Sequence, residues 1–529
     1  MPTDCISYQS SGYFTPLIND YLNQHDTLKP LYHRFPTLPN FKEQIEEKQQ
    51  NYTPEFRAVL ANVLEEQYNS INTSALTQKN INRLRKNNTF TVTTGHQLNL
   101  FTGPLYFLYK IVSAINLAKQ LKETYPDYNF VPVYWMATED HDFEEINYFN
   151  FHNKKIKWPR ESAGPVGRLS VDGLDAVLGA FSKELGMGNN AKWLKDLFEA
   201  SYLKHTNLAD ATRYLANEIF GSHGLVIIDA DNADLKKLFI PHVKEELLRQ
   251  TSHQKVAETA SLLKDYNIQV NPREINLFYI EDNLRERIIL NDGTYTVNNT
   301  NRTFTEAKLL AELDSHPEKF SPNVIMRPLY QEVILPNLCY IGGGGELAYW
   351  IELKSFFDVS KVTFPMLLLR NSVLLATQKQ AEKLDKLHLT WADVFTRQQQ
   401  LLNKKVQEFS AFQIDLSEQK EILKQQFDKL TQIAAQTDAS FTGAVKAQEA
   451  KQIKGLENLE KKLLRAEKRS HADKLERITL IQNELFPNRS LQERTVNFAE
   501  FYLEHDGKLL EQLFKELKPL EQEFNVVVL

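Results

Sequence analysis

From Thr89 to Thr93 apolar and polar residues alternate with the two-residue period of a strand, and beyond Pro104 the period lengthens. Leu105, Leu108, Ile111, Val112, Ile115, Ala118 and Leu121 recur at the roughly 3.6-residue spacing of a helix with one apolar face, and Pro104 suits its first turn. The next run, Phe130 to Ala137, is apolar on both faces and bounded by polar residues, as a strand inside a parallel sheet would be. Short apolar runs of the same kind follow at Leu225–Asp229, at Leu338–Ile341 ahead of a glycine run and a helix, and at Phe364–Leu369. Strands alternating with helices predict an α/β core on a doubly wound parallel sheet over residues 1–375. The stretches near residues 150–220 and 233–322 exceed ordinary crossovers and are expected to be inserted subdomains.

After Asn371 the alternation gives way to long stretches of Lys, Glu, Gln and Leu, which predict an α-helical coiled-coil arm over residues 376–486. Thr390 and Asp393 bracket a helix start. Leu416, Leu423 and Leu430 recur at heptad spacing, with Phe427 and Ala434 in a second register. A turn is expected at Thr437–Ser440. The run beyond it, with Leu456, Leu463, Ile478 and Leu485 at heptad separations, would extend roughly 65–70 Å as one helix. Two antiparallel helices fit this pattern. Pro487 ends the arm, Ser490 and Glu493 form a capping box for another helix, and residues 487–529 are expected to be a helical segment packing back on the body.

A chain of 529 residues is too long for one hydrophobic core, and 42% hydrophobic with 25% charged residues is the composition of a folded protein. A net charge of −6 gives no overall attraction to phosphate backbones, so no nucleic-acid partner is expected. Cys5 and Cys339 have neither zinc-knuckle nor redox-pair spacing, and Cys339 reads as a buried apolar thiol. No apolar stretch of about 18 residues occurs and residues 1–13 hold no apolar run, so the expectation is a cytoplasmic protein without a membrane contact.

Three motifs carry candidate chemistry. Thr93-Thr94-Gly95-His96-Gln97 stands where the first strand ends, the place at which open α/β sheets bind ligands; Gly103 follows before the helix. The glycine permits close approach to a phosphate, and the histidine can donate to developing negative charge; a histidine capping the next helix is the plain alternative. Thr138-Glu139-Asp140-His141-Asp142 follows the second strand, with Glu144 and Glu145 behind it. So many carboxylates at a strand end suit an amino group, or magnesium through Asp140 or Asp142, although a solvated acidic turn has the same composition. Gly342-Gly343-Gly344-Gly345-Glu346, with Tyr349 and Trp350 beyond, frees backbone amides for an anion but completes neither a P-loop nor a dinucleotide fingerprint. Arg327, Gln331 and Arg370 lie near element ends in the same region, where an arginine could hold a carboxylate or phosphate bidentately.

Taken together and in order, these three motifs resemble those of the bacillithiol synthase family, the cysteine-adding ligases of bacillithiol biosynthesis, related to class I aminoacyl-tRNA synthetases and nucleotidyl transferases. The resemblance runs through the whole chain, including the arm and Ser490-Leu491-Gln492-Glu493-Arg494. It implies a Rossmann-like core with connecting-peptide insertions, a homodimer through the coiled coil, and addition of L-cysteine to the amine of glucosaminyl malate. Thr93, Gly95 and His96 match the superfamily's nucleotide signature. Its later lysine-serine-lysine loop is missing, and Leu367-Leu368-Leu369-Arg370-Asn371-Ser372 stands in that place.

An amine does not displace a carboxylate oxygen at neutral pH, so the expected mechanism activates the cysteine carboxylate with ATP, or ADP as the bound nucleotide, as adenylate or acyl phosphate. His96 and the Thr93–Gly95 turn would stabilise phosphoryl charge, with Asp140, His141 and Asp142 at the amine or a magnesium ion. Rival readings are a non-catalytic interaction protein working through its arm, and a nucleotidyl transferase acting on another small substrate.

Overall fold

The computed structural model describes residues 4–529, which divide into two compact units. One holds Asp4–Leu375 with Ser490–Val527, the other Ala376–Arg489.

The first unit is built on five parallel strands: β1 (Thr89–His96), β2 (Asn129–Met136), β3 (Val226–Asp229), β4 (Asn337–Gly342) and β5 (Met366–Leu369). Their spatial order is β5-β4-β1-β2-β3. The chain therefore moves outward from β1 through β2 to β3, then returns to the other side of β1 for β4 and β5. The crevice where the order reverses lies beyond the carboxyl ends of β1 and β4, the general ligand position of such sheets. Every side chain of β1 is buried, its threonines included. The Thr91 and Thr93 hydroxyls donate to Asn337 Oδ1 at 3.2 and 2.8 Å, and the Thr94 hydroxyl donates to the Ile341 carbonyl at 2.8 Å, so polar side chains tie β1 to β4.

Helix α1 (Tyr106–Thr124) crosses β1 and β2. Its Leu117 and Leu121 join Phe90, Val92, Leu338, Ile341 and Leu368, and Phe41 and Ile45 close the same core. Cys339 is fully buried there, and burial pushes its thiol well above the ordinary value.

The first insertion is a hairpin, Tyr148–Phe151 with Lys154–Lys157, followed by helices Leu174–Leu185, Asn189–Phe198 and Leu208–Phe220. Phe101, at φ +47°, packs among Phe149, Phe181, Phe198 and Phe498 and so fixes the loop after β1. The second insertion contains an antiparallel sheet of five strands that includes Leu277–Glu281 and Leu284–Asn291. That sheet leaves a weak trace in the sequence, since Leu284–Asn291 is half-buried with polar residues on both faces.

Two expectations for the closing segment are corrected. Gln492–Arg494 is a single 3₁₀ turn, and Glu493 caps no helix. Its buried carboxylate instead accepts from both terminal nitrogens of Arg370, at 3.0 and 2.7 Å, and from the Val373 N–H at 3.1 Å. Nor is residues 487–529 helical throughout: Glu523–Val528 is a strand lying between Asp4–Ser7 and Ser372–Ala376. Three consecutive valines with Phe524 favour a pleated, half-buried surface over a helix.

In the second unit Thr390 and Asp393 form the capping box read from the sequence. Helices α2 (Ser417–Ala434) and α3 (Ala439–Ser470) pair antiparallel about Phe427, Ala434 and Val445, with Leu423 beside them. The register of Phe427 and Ala434 thus forms the seam, while Leu430 faces out. The second half of the arm is not one rod. It breaks at His471, and Ala472–Leu485 packs on Gln398–Phe409. Among the described residues no helix is long and apolar enough to cross a membrane.

Replacing Glu493 by alanine leaves the Arg370 guanidinium buried without its counter-charge, which is expected to cost roughly 3–5 kcal/mol. Urea denaturation of E493A followed by circular dichroism measures this, and an unchanged midpoint contradicts it.

Candidate active site

Beyond β1, β2 and β4 lies a cavity of about 1340 Å³, and all three sequence motifs open into it. The reversal of strand order makes β1 the neighbour of both β2 and β4. The histidine turn is therefore flanked by the acidic turn on one side and the glycine run on the other.

On the glycine side a buried lysine organises the wall. Lys110 of α1 donates to the Gly95 carbonyl at 2.7 Å and pairs with Glu346 Oε2 at 2.6 Å. Glu346 also accepts from the Tyr340 hydroxyl and the Gly343 N–H, each at 2.8 Å. Burial alone would raise the Glu346 carboxyl, but Lys110 and the Gly343 N–H bring it below its ordinary value. Burial lowers the Lys110 ammonium, against the pull of Glu346. A Cβ at Gly342 would lie 2.8 Å from Leu347 Cδ1 and 3.0 Å from Glu346 Cβ and Tyr340 Cε1, so any side chain there would displace its neighbours. Gly344 and Gly345 begin the helix Gly344–Glu352, where first-turn amides have no intrahelical acceptor, and a Cβ at Gly345 would meet open space.

His96 is buried against Tyr106 and Phe107, and its Nε2 has no hydrogen-bond partner among the described residues. Burial, aided by the charges of Lys110 and Arg370, holds its imidazole well below the ordinary value, so the ring is neutral at pH 7. Arg327 lies among Trp135, Tyr340 and Trp350 at 5.7–5.9 Å and donates to the Tyr349 hydroxyl at 3.2 Å and to Gln331 Oε1 at 3.0 Å. No carboxylate is within ion-pair distance of it among the described residues. This wall offers a cation, helix amides and an orphaned imidazole, a donor set that fits a phosphate or carboxylate group.

On the opposite side Gln97 donates to Asp140 at 3.0 Å and Glu145 at 2.9 Å. Burial would raise the Asp140 carboxyl, but the bonds it accepts from His141 and Gln97, with Arg285 nearby, hold it well below the usual range. Asp142 is raised, by burial and by the charge of Asp140. Glu139 lines the cavity but its carboxylate is committed to a buried ion pair with Lys236. Asp140, His141 and Asp142 present ligand atoms within 4.8 Å of one another. A guanidinium only donates, so Arg285, 2.8 Å from His141 Nδ1, makes that nitrogen the acceptor and places the proton on Nε2. Both Asp140 oxygens already accept bonds, and Arg285 supplies the positive charge.

Thus His96, Gln97, Gly95, Gly103, Asp140–Asp142, Glu145, Arg327, Gly343–Glu346, Tyr349 and Arg370 share one cavity. Thr93, Thr94, Gln331, Gly342 and Trp350 stand behind it: the threonines stitch strands, Gln331 supports Arg327, and Trp350 packs under Tyr340. Arg370 offers a ligand only its orphaned Nε, because Glu493 takes its fork. The sequence reading missed Lys110, Tyr340, Arg285 and Arg494. Lys110 did leave a signal, a lone charge inside the apolar start of α1.

The chain matches two family descriptions end to end: "Bacillithiol biosynthesis BshC, N-terminal Rossmann-like domain" over residues 1–371 and "Bacillithiol biosynthesis BshC, C-terminal coiled-coil domain" over residues 373–529. Among curated relatives named "Putative cysteine ligase BshC", that of Flavobacterium johnsoniae is 64% identical over 529 residues, covering 100% of both chains. That of Flavobacterium psychrophilum is 60% identical, covering 100% of this chain and 99% of its own, and that of Christiangramia forsetii is 57% identical, also covering 100% and 99%. With both halves matched and relatives alike along their full length, the chain belongs to the BshC family of bacillithiol biosynthesis.

Proposed function

We propose that this cavity joins the carboxylate of L-cysteine to the amine of glucosaminyl malate, giving bacillithiol, and that a nucleotide activates the carboxylate. The observation that carries the reading is the division of one cavity into an anion-binding wall and a carboxylate-rich turn, with His96 between them. Amide formation needs both, because the electrophile arrives as an anion and the nucleophile as a cation.

The bound nucleotide supplies a phosphoryl or nucleotidyl group that turns a carboxylate oxygen into a leaving group. Arg327 and the amides of Gly344 and Gly345 hold the negative charge on that side. The neutral His96 ring donates a hydrogen bond to the oxygen on which charge builds, without the repulsion of like charge from Lys110 that a protonated ring would meet. Across the cavity Asp140 stays ionised and attracts the ammonium. Asp142, whose carboxyl is raised, accepts the proton the amine sheds before it attacks. The same reading pairs two chains through the arm: Ile422, Leu430 and Ile433 share one face of α2 and remain 49, 45 and 57% exposed.

Purified protein mixed with cysteine, glucosaminyl malate and ATP is expected to give a thiol product of the condensed mass, with AMP or ADP, by mass spectrometry. No thiol product from any nucleotide would remove the ligase reading, and transfer of AMP to another acceptor would replace it. H96A is expected to lower turnover at least about a hundredfold with its circular dichroism unchanged. Because folded His96 binds its proton only well below the ordinary 6.5, the unfolded chain takes up that proton first, and stability falls as pH drops below about 6.5. In urea titrations at pH 7.5 and 5.5, H96Q should lose less stability between the two than the parent; an equal loss contradicts the assignment. Light scattering at micromolar concentration should give the mass of a dimer, and a monomer ends the pairing.

A further inference from the structure

The charge of the cavity is out of step with that of the chain. Against a net −6, the wall carries Arg273, Arg287, Arg327 and Arg494, none within ion-pair distance of a carboxylate among the described residues. Arg327 belongs to the anion wall already described, whereas Arg273 and Arg287 come from the second insertion, where Arg285 joins them.

Strand pairing places two of these guanidiniums, Arg285 and Arg287, on one face, while Arg273 lines the same cavity from the segment before Leu277–Glu281. In the ladder between Leu277–Glu281 and Leu284–Asn291, Phe278 stands opposite Arg287 and Ile280 opposite Arg285, so Phe278, Arg285 and Arg287 project from one face of that sheet. The Arg285 guanidinium lies 3.9 Å over the Phe278 ring, and its buried Nε has no partner among the described residues. Glu286, the nearest acid in sequence, points to the other face and accepts from Asn298 and Asn299. That face of the ladder thus brings no carboxylate to Arg287, and flat guanidinium forks match carboxylate geometry bidentately. Arg285 also touches His141, which places this basic face beside the acidic turn.

We infer that Arg273, Arg285 and Arg287 form a subsite for the dicarboxylate portion of the amine substrate, the malyl group of glucosaminyl malate. The inference rests on the function proposed above, and it divides the cavity further. One ligand carrying an amine and, several bonds away, two carboxylates spans from Asp140 and Asp142 to the arginine face, leaving the Arg327 wall to the activated carboxylate. Recognition here involves no covalent step. Arg273 and Arg287 bind and orient, while Arg285 does so and holds His141.

The test uses the full chain and variants R273A, R287A and R287K, with L-malate as probe in isothermal titration calorimetry and the ligase assay as second readout. The subsite predicts that L-malate binds the parent, that R273A and R287A each weaken it at least tenfold, and that R287K recovers only part of the loss. It also predicts at least a tenfold rise in KM for glucosaminyl malate, with KM for cysteine and for ATP unchanged. L-malate binding that is absent in the parent or equal in the variants overturns the subsite, as does a rise confined to the KM for ATP, which would make this the nucleotide wall. Loss of malate binding in variants of a protein without ligase activity would keep the subsite and reject the ligase reading. Unchanged circular dichroism separates these results from misfolding.

Discussion

A single ammonium group holds the site together. Lys110 emerges from a helix that is otherwise buried and apolar along that stretch, and it reaches the carbonyl at the end of β1 and the carboxylate that caps the glycine turn after β4. Taking that charge out of water is costly, and it is tolerated because Glu346, the Gly95 carbonyl, the Tyr340 hydroxyl and the Gly343 N–H satisfy the pair together. The arrangement sets the width of the crevice at the point where the strand order reverses. It also places a positive charge behind His96, which adds to the burial that keeps the imidazole neutral.

Around this tie the cavity is electrically divided. Carboxylates gather at the end of β2, where Gln97 and Arg285 hold them in place, and cations gather beside the glycine turn and on the inserted sheet. Such a division suits two reactants of opposite charge whose reacting atoms have to meet midway. It comes from three separate parts of the fold: a strand end, a helix start, and a subdomain that the parallel sheet itself does not need.

The parallel sheet was legible in the sequence because β2 to β5 are short, largely apolar runs and β1 alternates, and the three motifs were legible because each sits where such a strand ends. Other features left weaker marks. Arg285 and Arg287 alternate on a half-buried strand with polar residues on both faces, so no hydrophobic period reveals them. Glu493 has the spacing of a capping residue, and only the return of the chain to Arg370 shows its use as a buried counter-ion. The heptads placed a hairpin in the arm correctly, but the break at His471 follows no glycine or proline that would announce it.

The strand Glu523–Val528 occupies the middle of its small sheet, between Ser372–Ala376 and Asp4–Ser7, both far from it in sequence. Those two neighbours do not pair with each other, so both keep open backbone edges until Glu523–Val528 docks between them. A nascent chain halted short of residue 523 would carry two unprotected edges, one of them continuous with β5 through residues 370–372. The seam of this small sheet therefore closes only through contacts between distant stretches of sequence, the kind of pairing that loop-closure entropy makes slow.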